Sequence, residues 1–96
     1  MSELIYILKA LSNETRYKIL ELLIENSYCV KALAKKLNIT ESAISQHLKI
    51  LRNAGIVKGE KKGYYTHYTV NLETLQKVAD KISDLAKVPL MNKEVR

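Results

Sequence analysis

Cys29, His47 and His67 are the side chains that could serve as nucleophile, proton acceptor or soft metal ligand. A structural zinc site takes four ligands, with pairs at close spacing. Here Cys29 stands eighteen residues before His47, and the chain holds one cysteine in all. A Cys–His nucleophile pair also needs an orienting acid and a pocket, and the sequence marks neither. Cys29 falls between Tyr28 and Val30 at the start of an expected short helix. A helix N-terminus there would lower a thiol pKa, while a buried cysteine simply packs as a small apolar side chain. His47 reads as a polar residue on a helix and His67 as a residue of a strand. The chain is therefore not expected to be an enzyme, nor to carry a metal or other cofactor.

A different chemistry is written in Thr40–Arg52. With Ile44, Leu48 and Leu51 turned inward, the opposite helix face carries Glu41, Ser42, Ser45, Gln46 and Lys49. Side chains this short, beside a helix N-terminus, can lie deep in the major groove of duplex DNA. Gln46 could pair with adenine, and Ser42 or Ser45 with a base edge or a phosphate. Thr40, His47 and Tyr65 join this set, and Lys49 and Arg52 suit phosphates. Lys58, Lys61 and Lys62 cluster where a hairpin tip is expected, with Gly59 and Gly63 allowing tight bends. Such a cationic tip would grip a flanking phosphate or enter the minor groove. Lysines on an exposed strand edge also deter unwanted pairing, and both roles are compatible.

Charge has the same address. The net charge is +6, from 16 Lys and Arg against 10 Asp and Glu. Residues 1–30 sum to −1 and residues 71–96 to +1, so residues 31–70 hold the whole excess, +6. A basic middle between neutral ends suits a polyanion. At 96 residues, 47% hydrophobic and 27% charged, the chain is one small globular domain rather than a disordered one. No apolar run approaches the roughly 18–20 residues of a membrane span. With no signal segment and one cysteine, a cytoplasmic location is expected.

The elements that must position these residues follow from pattern and breakers. All three glycines lie between 55 and 63 and the single proline is Pro89, so residues 1–54 favour helices joined by tight turns. A first helix is expected after Ser2 to about Leu11, with Leu4, Ile5, Leu8 and Leu11 at helical spacing. Ser12-Asn13 caps a second, to about Glu25, whose Tyr17, Ile19, Leu20, Leu22, Leu23 and Ile24 suit a helix packed on several sides. A third covers Val30–Leu37, and Asn38-Ile39 makes a tight turn. Thr40 caps a fourth over about Glu41–Ala54, ended by Gly55 in the left-handed conformation. The period then changes. Ile56-Val57 opens a strand, Glu60-Lys61-Lys62-Gly63 is the turn, and Tyr64–Val70 is β-branched and aromatic. Tyr68 and Val70 are expected inward, Tyr65 and His67 outward. Asn71 caps a last helix to about Val88, and Met91–Arg96 frays. The fold class is mainly α with a β-hairpin wing: a winged helix-turn-helix with a helix added at each end. The single domain, 1–96, divides into a DNA-binding core of about 12–70 and dimerisation helices of about 3–11 and 72–88. The apolar stripes of these two helices (Leu4, Ile5, Leu8, Leu75, Val78, Ile82 and Leu85) exceed what one small domain can bury. Pairing them with a second copy would also create two-fold symmetry.

Ala10-Leu11-Ser12-Asn13-Glu14-Thr15-Arg16 through Ile19-Leu20-Glu21-Leu22-Leu23 resembles the opening of the ArsR/SmtB family of bacterial and archaeal repressors. Leu33–Leu37, Ser42–Val57 and Gly63 with Tyr68-Thr69-Val70 extend the resemblance over about residues 4–88. It implies a homodimeric repressor that binds double-stranded operator DNA and leaves it when an inducer binds. Family members commonly sense a metal at a Cys-Val-Cys segment opening the third helix, or at Asp, His and Glu residues of the terminal helix. Here the first reads Cys29-Val30-Lys31, and the second offers Glu73, Asp80 and Asp84 without a histidine, so neither site is intact. The inducer is not identified by these residues. Two other functions fit the same pattern. One is a winged-helix interaction module whose basic face takes an acidic protein; the other is a thiol-sensing repressor using Cys29.

Overall fold

A computed structural model describes residues 3–87. The expected Ser2 boundary, the helix end at Val88 and the Met91–Arg96 tail lie outside them. The chain runs α1 (Glu3–Leu11), α2 (Glu14–Glu25), β1 (Tyr28–Cys29), α3 (Val30–Leu37), α4 (Glu41–Asn53), β2 (Val57–Lys62), β3 (Tyr65–Val70) and α5 (Leu72–Ala86). This is the winged helix-turn-helix order. None of the described helices is long and apolar enough to cross a membrane.

Ile19, Leu33, Ile44, Leu48, Leu51 and Ile56 are fully buried. They come from α2, α3, α4 and the lead-in to β2, so the core locks α4 to its scaffold. Burying each stabilises the fold by roughly 1.5–3 kcal/mol. The helix ends follow local chemistry. Asn13 Oδ1 accepts from Arg16 N at 3.0 Å, capping α2. Asn38 adopts the left-handed conformation (φ 56°), and its N–H bonds Ala34 O, sharply ending α3. Thr40 Oγ1 accepts from Ala43 N at 3.1 Å and starts α4. Gly55 (φ 74°) turns the chain out of α4, with Ile56 N donating to Leu51 O at 3.0 Å.

Several expectations are corrected. The hairpin turn is not Glu60–Gly63. β2 continues through Lys62, Lys62 pairs with Tyr65, and the turn is Gly63-Tyr64. Gly63 (φ 67°) takes the first central position of a two-residue turn, where glycine meets the twist of the strands. Gly59 makes no bend; it lies within β2 opposite Tyr68. A third strand, β1, pairs antiparallel with the other edge of β3, Tyr28 against Tyr68 and Cys29 against His67. That pairing covers His67, which is half-buried rather than outward, with Nδ1 buried and without a partner. Tyr68 and Val70 are buried, as expected.

α1 buries Ile7 and Ala10, with Leu4, Leu8 and Leu11 packed beside them, while Ile5 is exposed. α2 is not covered on every side, since Tyr17 and Ile24 are exposed. Asn71 precedes α5 without a side-chain cap bond; its N–H donates to Ile56 O at 2.7 Å and ties α5 to the root of the wing. In α5, Val78 is buried and Leu75 packs on the core, but Leu72, Ile82 and Leu85 are 65%, 46% and 71% exposed.

Candidate nucleic-acid interface

The polar face of α4 forms as the spacing requires. Ile44, Leu48 and Leu51 point into the core, and Glu41, Ser42, Ser45, Gln46, Lys49 and Arg52 are exposed. Thr40 is exposed at the N-terminal end of this row. Its Oγ1 accepts the cap bond, which leaves its own O–H to donate outward. Among the described residues the ion pair found is Lys18 Nζ to Glu14 Oε1, 3.2 Å apart within α2. None of the cations of residues 31–62 is ion-paired among the described residues.

The wing supplies the second element. Lys61 and Lys62 are exposed on the last two residues of β2, opposite Thr66 and Tyr65. Lys58 is exposed too but pairs with Thr69 near the root of the hairpin. Four residues of strand, about 14 Å, separate it from Lys62, so it is no part of the tip. Tyr65 is exposed as required. Tyr64 was not anticipated as a contact. It sits in the turn at 98% exposure and is the most protruding aromatic ring described. Its signal was the glycine before it, which places it at the apex.

His47 departs from the rest. It is half-buried on the flank of α4 that faces α2, with Nδ1 3.2 Å from Arg16 Nη1. Arg16 Nε donates to Ala10 O at 2.6 Å, so one guanidinium spans the end of α1 and the middle of α4. Burial first, and the Arg16 charge second, hold the His47 imidazole below its ordinary pKa. Arg16 escapes a sequence reading because its partner lies 31 residues away.

The positions named above as possible metal ligands are placed as follows. Cys29 is free and half-buried, and the next helical residues are Val30 and Lys31, so a second thiolate is replaced by a cation. Along α5, Asp80 and Asp84 share a cleft with Glu3, interleaved with Lys77 and Lys81. Among the described residues no three His, Cys, Asp or Glu side chains gather into a group that could hold a metal ion.

Comparison with known proteins places this geometry. Residues 13–58 match a family model described as bacterial regulatory protein, arsR family. The transcriptional repressor SdpR of Bacillus subtilis is 37% identical over 70 residues, 73% of this chain and 78% of that protein. An ArsR-like transcriptional regulator from Rhodococcus sp. RHA1 superposes with a TM-score of 0.80 at 32% identity, covering 88% of this chain and 79% of that one. The homodimeric winged helix-turn-helix DNA-binding domain of Mb0332 from Mycobacterium bovis superposes with a TM-score of 0.74 at 25% identity, covering 88% and 78%.

Proposed function

The chain belongs to the arsR family of bacterial regulatory proteins, transcriptional regulators with a winged helix-turn-helix DNA-binding domain, and from that premise we propose that it is a homodimeric, sequence-specific repressor acting in the cytoplasm. The observation that carries this reading is the exposed row Ser42, Ser45, Gln46 and Lys49, with Lys61 and Lys62 on the wing. Ser42, Ser45 and Gln46 are the base-edge candidates, Lys49 and Arg52 take phosphates, and Lys61, Lys62 and Tyr65 meet the flanking backbone or minor groove. Residues 12–70 form the reading unit. α1 and α5 form the dimer contact, in which Ile82 and Leu85 become buried. Repression is supported by the likeness to SdpR, and pairing by the likeness to the Mb0332 homodimer.

Selection of bound duplexes from a random pool tests this directly. A homodimer should enrich a palindrome with half-sites about 34 Å, one helical turn, apart or a multiple of it. Affinity should fall by about 0.9 log unit per log unit of salt for each phosphate neutralised. No enriched sequence, or affinity flat in salt, overturns the reading. Adding protein to transcription from the selected site should lower output; a rise would make it an activator.

A further inference from the structure

His47 is a member of the expected contact set whose side chain is bonded to a side chain of another helix. A guanidinium has donors and no acceptor. The 3.2 Å contact between Arg16 Nη1 and His47 Nδ1 is therefore a bond donated by Arg16, and Nδ1 accepts with its lone pair. A neutral imidazole has one acceptor nitrogen and one N–H, so the proton must reside on Nε2. An imidazolium would have no lone pair at Nδ1 and would face the Arg16 charge. Burial and that same charge hold the ring neutral. The guanidinium is held from its other side as well, since Nε donates to Ala10 O at 2.6 Å.

The other edge of the ring makes no hydrogen bond among the described residues. Among the described residues the buried side-chain nitrogen or oxygen without a partner is His67 Nδ1, so His47 Nε2 reaches solvent. Around α4, at 100° per residue, His47 lies about 100° beyond Gln46 and about 60° from the buried Ile44, on the side of the helix that faces α2. A donor on the flank of a groove-bound helix meets the sugar–phosphate wall, whereas base edges face the centre of the row.

Building on the DNA-binding reading above, we propose that Arg16 is a positioning residue that fixes His47 as its Nε2–H tautomer, so that His47 donates one hydrogen bond to a backbone phosphate oxygen at the edge of the groove. Arg16 itself touches no DNA in this arrangement. The contact is donated by a neutral group, so it adds affinity without releasing a counterion. It orients α4 and carries no sequence information.

The tautomer is measured on the free full-length protein by long-range proton–nitrogen correlation of 15N-labelled histidine. The His47 signals are identified by their loss in His47→Gln. Wild type should show protonated Nε2 and unprotonated Nδ1, and Arg16→Ala should give a mixture. Binding is read by anisotropy on the selected duplex and on an unrelated one. His47→Ala and Arg16→Ala should each weaken both duplexes about tenfold, the loss of one hydrogen bond to a charged group, with the salt slope unchanged. His47→Gln places an amide N–H near the Nε2 position without needing Arg16. It should bind within about twofold of wild type, and Arg16→Ala in that background should cost no more. Should Arg16→Ala fail to fold, the wild-type tautomer and the His47→Ala against His47→Gln comparison still decide the matter. An Nδ1–H or mixed tautomer in wild type overturns the proposal. So does a loss from Arg16→Ala that persists in the His47→Gln background. A loss in His47→Ala confined to one base pair overturns the phosphate assignment. Wild type with the Nε2–H tautomer that binds neither duplex overturns the DNA-binding reading instead.

Discussion

The ring of Tyr68 packs across Gly59, its partner on the neighbouring strand. A Cβ on Gly59 would lie 3.1 Å from Tyr68 Cε1 and 2.9 Å from Thr66 Cγ2. The backbone there is ordinary strand, so the glycine serves space and not conformation. Gly59→Ala should displace Thr66 Cγ2 and press the Tyr68 ring aside, and cost about 1–3 kcal/mol, the usual cost of overpacking. Thermal unfolding at fixed protein concentration checks it, at about 4–8 °C per kcal/mol for a domain of this size. Gly63 is the converse case. Nothing lies within 4 Å of an added Cβ, but its φ of 67° is left-handed, so Gly63→Ala should cost about 1–2 kcal/mol from the backbone alone. An unchanged melting temperature in Gly59→Ala would mean that the wing holds its tyrosine less tightly than the packing indicates.

Those two glycines also show where the sequence was legible and where it was not. Helices with caps announce themselves locally: Asn13, Thr40 and Gly55 each act within a few residues of their own position. The exposed row of α4 followed from periodicity alone. Glu60-Lys61-Lys62-Gly63 has turn composition, but the positive φ available at Gly63 and the pairing of Lys62 with Tyr65 put the turn two residues later. Strand β1 was invisible because two residues cannot show an alternation. Cys29–His67 and Arg16–His47 are long-range pairs, and no local pattern encodes a contact made across 30 or more residues.

His47 gives the fold a pH dependence of definite sign. Burial and the Arg16 guanidinium lower its pKa in the folded state, while in the unfolded chain it titrates near the ordinary value of about 6.5. Below that value the unfolded state binds the proton more readily, so stability rises with pH through this window. The contribution is complete above about pH 6.5 and is lost as pH falls through the folded-state pKa. Urea unfolding at pH 7.5 and 5.5 should show a lower midpoint at 5.5. His47→Gln should remove that part of the difference; an identical pH dependence in the variant would assign it to other groups.

Reading and gripping should separate by mutation. Lys61 and Lys62 are cations at the wing tip, and Gln46 is a neutral amide in the exposed row. Lys61→Ala and Lys62→Ala should weaken binding evenly across sequences and reduce the salt slope by about 0.9 each if each meets one phosphate. Gln46→Ala should leave the slope intact and relax preference at one position of each half-site, by about 1–3 kcal/mol. Repeating the selection with each variant distinguishes the two. A relaxed site from a wing lysine, or a changed slope from Gln46, would exchange their roles.

On the dimer proposed above, Ile82 and Leu85 should bear on assembly rather than folding. They lie three residues apart on α5, one and two turns beyond the buried Val78, and remain 46% and 71% exposed while Leu4, Leu8, Leu75 and Val78 pack against the chain's own core. The expected interface set therefore splits into residues that pack in the chain's own core and residues that stay exposed. A charge at Leu85 removes little that the single chain buries, so Leu85→Asp should stay folded, losing at most about 0.7 kcal/mol through helix propensity. In a dimer the same charge would sit in an apolar contact without a partner, which is costly enough to separate the chains. Sedimentation should show a dimer for wild type and a monomer for Leu85→Asp, with unchanged far-ultraviolet circular dichroism. Operator affinity should fall steeply, because two reading heads joined in one dimer gain an effective local concentration that separate monomers lack. A Leu85→Asp protein that remains dimeric would move the interface off the outer half of α5.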